Sequence, residues 1–266
     1  MASFFDFLNG EREIERQTLE QYKIEFEICI KLWEFLLNDL IKSVDGNCIL
    51  FMYFKHQVDM SLRNAITSLM RLQTAQSKQN LRFALENIAL CMYYLNEFEE
   101  FNEIYVGAED RKLDKITNKL KEKAYKLIET KYPEINKIIK RYKKLMNDHG
   151  AHANLGLAGL NTKLLGKEKM RVNFFDTLST YHARNQILLI SDIIIGFIEA
   201  IANQRKDPKM LPLREDWKSK YLALRKKYTD YKDKLFSDIK VAQSKTGRNE
   251  KCWCGSGIKF KKCHGR

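Results

Sequence analysis

Proline and glycine are scarce in this chain of 266 residues, at 3 and 12. A fold rich in tight turns needs more of both, so their scarcity excludes many-stranded architectures and points to long helices with few connections. Long apolar runs are also lacking. The most apolar stretch, 187–202, is interrupted by Asp192 and Glu199 and is shorter than the ~20 residues a spanning helix needs. It reads as a buried core helix, and no membrane span is expected. The amino terminus has a short apolar run but no basic start and no cleavage-type ending, so no signal peptide is expected. No Walker loop, dinucleotide fingerprint, nucleophile elbow or internal repeat is visible. There is no spread of cysteines suited to a disulfide framework. Cys29, Cys48 and Cys91 sit singly in apolar, helix-like stretches, where cysteine behaves as a small hydrophobe. The other three of the 6 cysteines crowd near the carboxyl end. A reducing cytoplasm is the expected location.

What is present suits a globular body: 44% apolar and 11% aromatic residues. The net charge of +13 is localised. Residues 109–144 carry 13 basic and 6 acidic side chains, and residues 240–266 carry 8 and 1. The remainder is close to neutral. Two basic segments suit acidic partners such as nucleic acid, although lysine-rich helix faces also serve simply as solvated surface.

Periodicity predicts about seven helices. Within 11–44, Tyr22, Phe26, Cys29, Trp33, Leu37 and Leu40 alternate four and three apart, on one face of a long helix. A second helix is predicted over 48–76, with Met52, His56, Asp59, Arg63 and Thr67 close to one side. A third is predicted over 78–105, capped by Ser77. The fourth carries the apolar stripe Leu113, Ile116, Leu120, Ala124 and Leu127 beside a lysine stripe. Pro133 suits the first position of the fifth, and a glycine-bearing loop is expected over 150–166. The sixth spans 173–203. The seventh, 214–241, has a heptad-like seam of Trp217, Tyr221, Leu224, Tyr228, Tyr231 and Leu235. That seam can pack on the bundle or form a homodimer. No segment shows strand alternation. The expected architecture is all-α: a helical bundle over 1–242 and a small module over 243–266, joined by a polar linker at 243–246.

The final twenty residues, GRNEKCWCGSGIKFKKCHGR, space their potential ligands as C-x-C-x8-C-H. Three thiolates and an imidazole form a closed tetrahedral set for Zn²⁺, leaving no open position for catalysis. Gly255-Ser256-Gly257 lets the chain reverse between the ligand arms. Arg248, Lys251, Lys259, Lys261 and Lys262 surround the thiols and favour their deprotonation. A segment this short cannot fold on an apolar core; metal binding worth about 10–16 kcal/mol in zinc-finger peptides would supply that stability.

This segment resembles the SEC-C motif, the zinc module at the carboxyl end of the bacterial preprotein translocase ATPase and an appendage on many unrelated bacterial proteins. The resemblance rests on Gly247-Arg248-Asn249, Cys252-x-Cys254-Gly255-Ser256-Gly257, Lys259, Phe260, Lys261-Lys262-Cys263 and His264. Lys251 and Trp253 stand where that family often has proline. The resemblance implies zinc held by Cys252, Cys254, Cys263 and His264. It also implies a recognition surface of Arg248, Lys259, Lys261 and Lys262 that docks a protein, ribosome or RNA partner.

In the body, Asp148, His149 and His152 can bind metal, move protons or serve only to end a helix. Arg82, Glu86 and Asp192 in apolar helices must find partners, and a network joining them to His152 is one arrangement. The helical body loosely resembles HEPN domains, many of which cleave RNA. Their arginine is followed by four to six residues and then histidine. Here seven residues separate Arg141 from His149, and His182 precedes Arg184. The reading favours a non-enzymatic docking protein; the alternative is an RNA-cleaving or toxic defence effector using His149 or His152.

Overall fold

The computed structural model describes residues 4–43, 46–106, 113–146, 162–164, 170–172, 175–176, 178–205 and 208–265. Among them the chain forms an all-α bundle with nine α-helices. The predicted first helix begins earlier, as α1 (Phe4–Gln21), and then divides. Its early start has a packing reason: Phe7 stacks on Phe175 at 5.8 Å. Tyr22 departs from helical geometry at φ −118 before α2 (Lys23–Glu34). Hydrogen bonds of 3.0 Å from Tyr22 N–H to Thr18 and from Phe26 N–H to Tyr22 bridge this kink.

α2 continues into a π-helical turn, Phe35–Asp39. A π turn adds a residue and rotates the side chains beyond it about the helix axis. Leu37, predicted to face the core, is 42% exposed, and Leu36, four residues after buried Leu32, is buried instead. A short 3₁₀ turn (Gly46–Cys48) leads into α3 (Ile49–Met70), which pairs with α4 (Thr74–Asn96). The connection is tighter than predicted because Leu72 adopts a left-handed φ of 54. Ser77 is consequently inside α4, not a cap; its hydroxyl donates to the Ala65 carbonyl at 2.8 Å and ties the two helices. The amino end of α4 is served by a distant group, since the Thr74 N–H donates to the Asp176 carboxylate at 2.7 Å.

The predicted third helix also divides, at Glu97, giving α5 (Phe98–Val106). The basic segment forms α6 (Leu113–Lys131) and α7 (Pro133–Met146), with Pro133 at the predicted first position. Thr162–Leu164, inside the expected loop, and Met170–Val172, just after it, pair antiparallel as β1 and β2, where no strand was expected. Strands this short leave almost no alternation to read. α8 (Thr180–Asn203) starts later than the predicted 173, capped by Ser179, whose hydroxyl oxygen accepts the His182 N–H. α9 (Trp217–Lys245) runs through most of the segment read as linker.

The core collects Phe26, Leu32, Leu62, Leu85, Ile194 and Phe197 from α2, α3, α4 and α8. α8 is long and apolar enough to span a membrane, but 61% of its apolar window is buried in the bundle. The α9 seam packs inward too: Tyr221, Tyr228 and Leu235 are buried. Among the described residues the charged side chains in apolar helices pair in local groups, and His152 of the expected network lies outside those residues. Glu86 pairs with Arg82 and Lys121, and Asp192 pairs with Lys232. Arg184 pairs with Glu25.

Candidate metal centre

Residues 247–265 build the module from backbone turns. Glu250 links its start, accepting the Gly247 N–H at 2.8 Å and donating its own N–H to the Gly247 carbonyl at 3.0 Å. Lys251 and Lys259 form an isolated antiparallel bridge, and the Cys252 N–H donates to the Ile258 carbonyl at 2.7 Å. This narrow loop turns at Gly255 and Gly257, with φ of 80 and 72. Glycine, with no Cβ, accepts such angles at no steric cost. Phe260–Lys262 then makes a 3₁₀ turn that brings the last two ligands back to the first two.

The candidate ligand atoms of Cys252, Cys254, Cys263 and His264 all lie within 4.8 Å of one another. His264 Nδ1 is 3.3 Å from Cys252 Sγ and 3.2 Å from Cys263 Sγ, and the Cys254 and Cys263 sulfurs are 3.6 Å apart. A tetrahedral ion with ~2.3 Å bonds to sulfur and ~2.0 Å to nitrogen places its ligand atoms roughly 3.5–3.8 Å apart. The donor set and its spacing therefore fit a four-coordinate, soft-ligand metal ion. Burial pushes the Cys252 thiol up from its ordinary range. Burial acts the same way on Cys254, but hydrogen bonds from Ser256 and the neighbouring cysteines outweigh it and draw that thiol down.

The module is seated on the amino end of α8. The Tyr181 N–H, left unpaired by helix geometry, donates to the Cys254 carbonyl at 3.4 Å. Gly255 rests against Thr180, where a Cβ would come 3.4 Å from its hydroxyl oxygen. The Tyr181 ring meets Trp253 edge-on at 4.9 Å and His264 at 5.6 Å. Trp253 also lies 4.8 Å from the His264 ring, so the two neighbouring rings brace the imidazole. Thr180, Tyr181, Trp253 and Ser256 were not among the site residues expected from sequence. Trp253, standing where the family often has proline, was the available signal.

Of the expected recognition residues, Arg248, Lys259 and Lys262 are exposed and Lys261 is half-buried. The Lys261 N–H donates to the Arg248 carbonyl at 3.0 Å, which fixes their backbones together. His149 and His152 lie outside the described residues.

Comparison with known proteins agrees with this geometry. The family model of the SEC-C motif matches residues 248–266. The protein translocase subunit SecA of Borreliella afzelii strain PKo is 34% identical over 84 residues, covering 29% of this chain and 9% of that subunit. SecA of Pseudomonas putida strain KT2440 is 77% identical over 22 residues, covering 8% of this chain and 2% of its own length. These matches therefore span under a tenth of the relatives. No solved structure matches the chain. Residues 248–266 are an SEC-C motif, and its three cysteines and histidine are arranged as a possible metal site.

Proposed function

We propose that this chain is a docking protein, in which a zinc ion shapes the carboxyl-terminal module and the module's cations engage an acidic partner, protein or RNA. Zinc suits three thiolates and one imidazole, and a closed four-ligand set serves structure rather than catalysis. The observation that carries the reading is that the module's cations lack the internal carboxylates that several cations of the other basic segment have. On α6 and α7, Lys121, Lys123, Lys131, Lys137 and Lys140 are held by glutamates of the same chain. Among the described residues, Arg248, Lys259, Lys261 and Lys262 have no such carboxylate. Cations on a rigid turn without an internal counter-charge suit a surface that brings its own. Six cysteines, none of them in a disulfide, also suit a reducing compartment such as the cytoplasm.

The test is capture from a lysate by the whole chain and by a Lys259→Gln, Lys261→Gln, Lys262→Gln variant, with bound protein and RNA both analysed. The variant should keep its metal content and its melting temperature while losing most partner binding. The wild-type interaction should weaken steeply with salt. Retention of the same partners by the variant, with salt-insensitive binding, would refute the docking reading.

A further inference from the structure

Tyr181 has a second role, as a wall of a cleft of ≈ 640 Å³ between α7, α8 and α9. That volume lies within the roughly 300–1,000 Å³ typical of small-ligand sites. The cleft is chemically distinct from the module. Its cations are Arg141 of α7 and Lys232 of α9, and its amides are Asn185 and Gln186 of α8. Lys232 is already engaged: both Asp192 carboxylate oxygens accept from its ammonium at 2.9 Å. Asp192 also accepts from the Tyr228 hydroxyl at 2.6 Å, which further satisfies its charge. Among the described residues, the Arg141 guanidinium and the two amides have no hydrogen-bond partner. His182 adds a directed group. The Ser179 hydroxyl lies 2.7 Å from its Nδ1 and accepts the His182 backbone N–H. A hydroxyl that accepts there can give its own proton to Nδ1, which leaves Nε2 as the N–H donor.

The cleft thus offers one uncompensated cation, an unused pair of amides and aromatic rings. Phe236, at 38% exposure, is a large apolar ring left open to solvent on the same cleft. Leu188 and Leu189 supply an apolar floor. A lone guanidinium suits one phosphate, because its planar fork pairs with phosphate oxygens. Unpaired amides suit a planar ring edged with donors and acceptors, and the rings suit its face. An acidic peptide would answer the guanidinium but would leave the aromatic walls without a flat partner.

We propose that this cleft binds a nucleotide, its phosphate on Arg141, its base edge on Asn185 and Gln186, and its ring against Phe236 and Tyr181. The nucleotide is free or is one unit of a single strand. The site is separate from the docking face of the module, so either proposal can fail without the other.

Calorimetric titration of the whole, metal-loaded chain tests the inference with adenosine monophosphate, uridine monophosphate, adenosine, inorganic phosphate and a 5′-phosphorylated oligoadenylate. At least one mononucleotide or the oligomer should bind saturably, and more tightly than adenosine or inorganic phosphate. Arg141→Gln should weaken nucleotide binding at least tenfold and leave adenosine unchanged. Phe236→Ala should weaken nucleotide and nucleoside together by about the same factor and provides a second readout in another helix. Lys259→Gln with Lys262→Gln should change neither. Tighter binding of the monophosphate identifies the free nucleotide; tighter binding of the oligomer identifies the strand. Absence of saturable binding by every nucleotide probe overturns the proposal. So does inorganic phosphate binding as tightly as the nucleotides, or unchanged affinity in both Arg141→Gln and Phe236→Ala.

Discussion

Glu86 shows how one side chain joins burial to charge. Its carboxylate is 14% exposed, 2.8 Å from the Lys121 ammonium of α6 and 3.3 Å from Arg82. Burial alone would raise its pKa above 4.5, but the Lys121 hydrogen bond and charge, with Lys143 and Arg82, outweigh burial and lower it. A carboxyl with a lower pKa folded than unfolded stabilises the fold at pH values above its unfolded pKa. That contribution is lost as pH falls through the folded value. Glu86→Gln should therefore cost about 1–3 kcal/mol near pH 7, the scale of hydrogen bonds to charged groups. It should also flatten the decline of stability on acidification below about pH 4.5. Urea midpoints measured from pH 7 to pH 3 will show whether the wild-type and variant curves converge at the acid end. That Glu86 needed partners was legible from its place in an apolar helix. Arg82, one turn away, was legible too; Lys121 was not, because it lies 35 residues away among many equivalent lysines.

Among the elements, α3 carries the sharpest internal conflict. Lys55 and Asp59, one turn apart, form an ion pair at 2.7 Å with side-chain exposures of 4% and 7%. Asp59 Oδ1 is buried without a hydrogen-bond partner. Breaking such a pair leaves a bare buried charge and typically costs about 3–5 kcal/mol, whereas replacing both partners with apolar groups is often neutral or stabilising. Asp59→Ala should lower the urea midpoint strongly, and Lys55→Met with Asp59→Leu should recover most of the loss. If the single variant unfolds at the wild-type midpoint, the pair is energetically idle. The helical period placed Asp59 beside Met52 and Thr67, but it could not distinguish a wet face from a dry one. α3 and α4 are sandwiched between other helices, so polar residues on their faces become buried. The π turn after α2 was equally illegible. Within it Leu36 takes the core place read for Leu37, between buried Leu32 and Leu40 and close to the Ile41–Leu213 bridge.

The molecule has two sources of stability. The bundle is held by an apolar core drawn from distant helices. The module has only two buried hydrophobic residues, Cys252 and Cys254, and both are candidate ligands. Chelation at neutral pH should therefore unfold residues 247–265 while leaving the cooperative melt of the helices largely in place. Amide hydrogen exchange before and after treatment with a strong chelator measures this directly. Protection should vanish in the module and persist in α3 and α8; equal protection in both states would mean that the module needs no ion. The four candidate ligands were legible because they occupy neighbouring positions in one short segment. Their seat was not, because Tyr181 lies more than seventy residues upstream and belongs to a helix whose composition advertises only its apolar interior.

The seating of the module on α8 has an electrostatic consequence. With a divalent ion bound, three thiolates would leave about one negative charge, and the amino end of a long helix presents about half a positive one. The bundle would then serve as counter-ion to its own appendage. A detached module would have to shed its sulfur-bound protons without that field, and so would begin to load its ion only in more alkaline water.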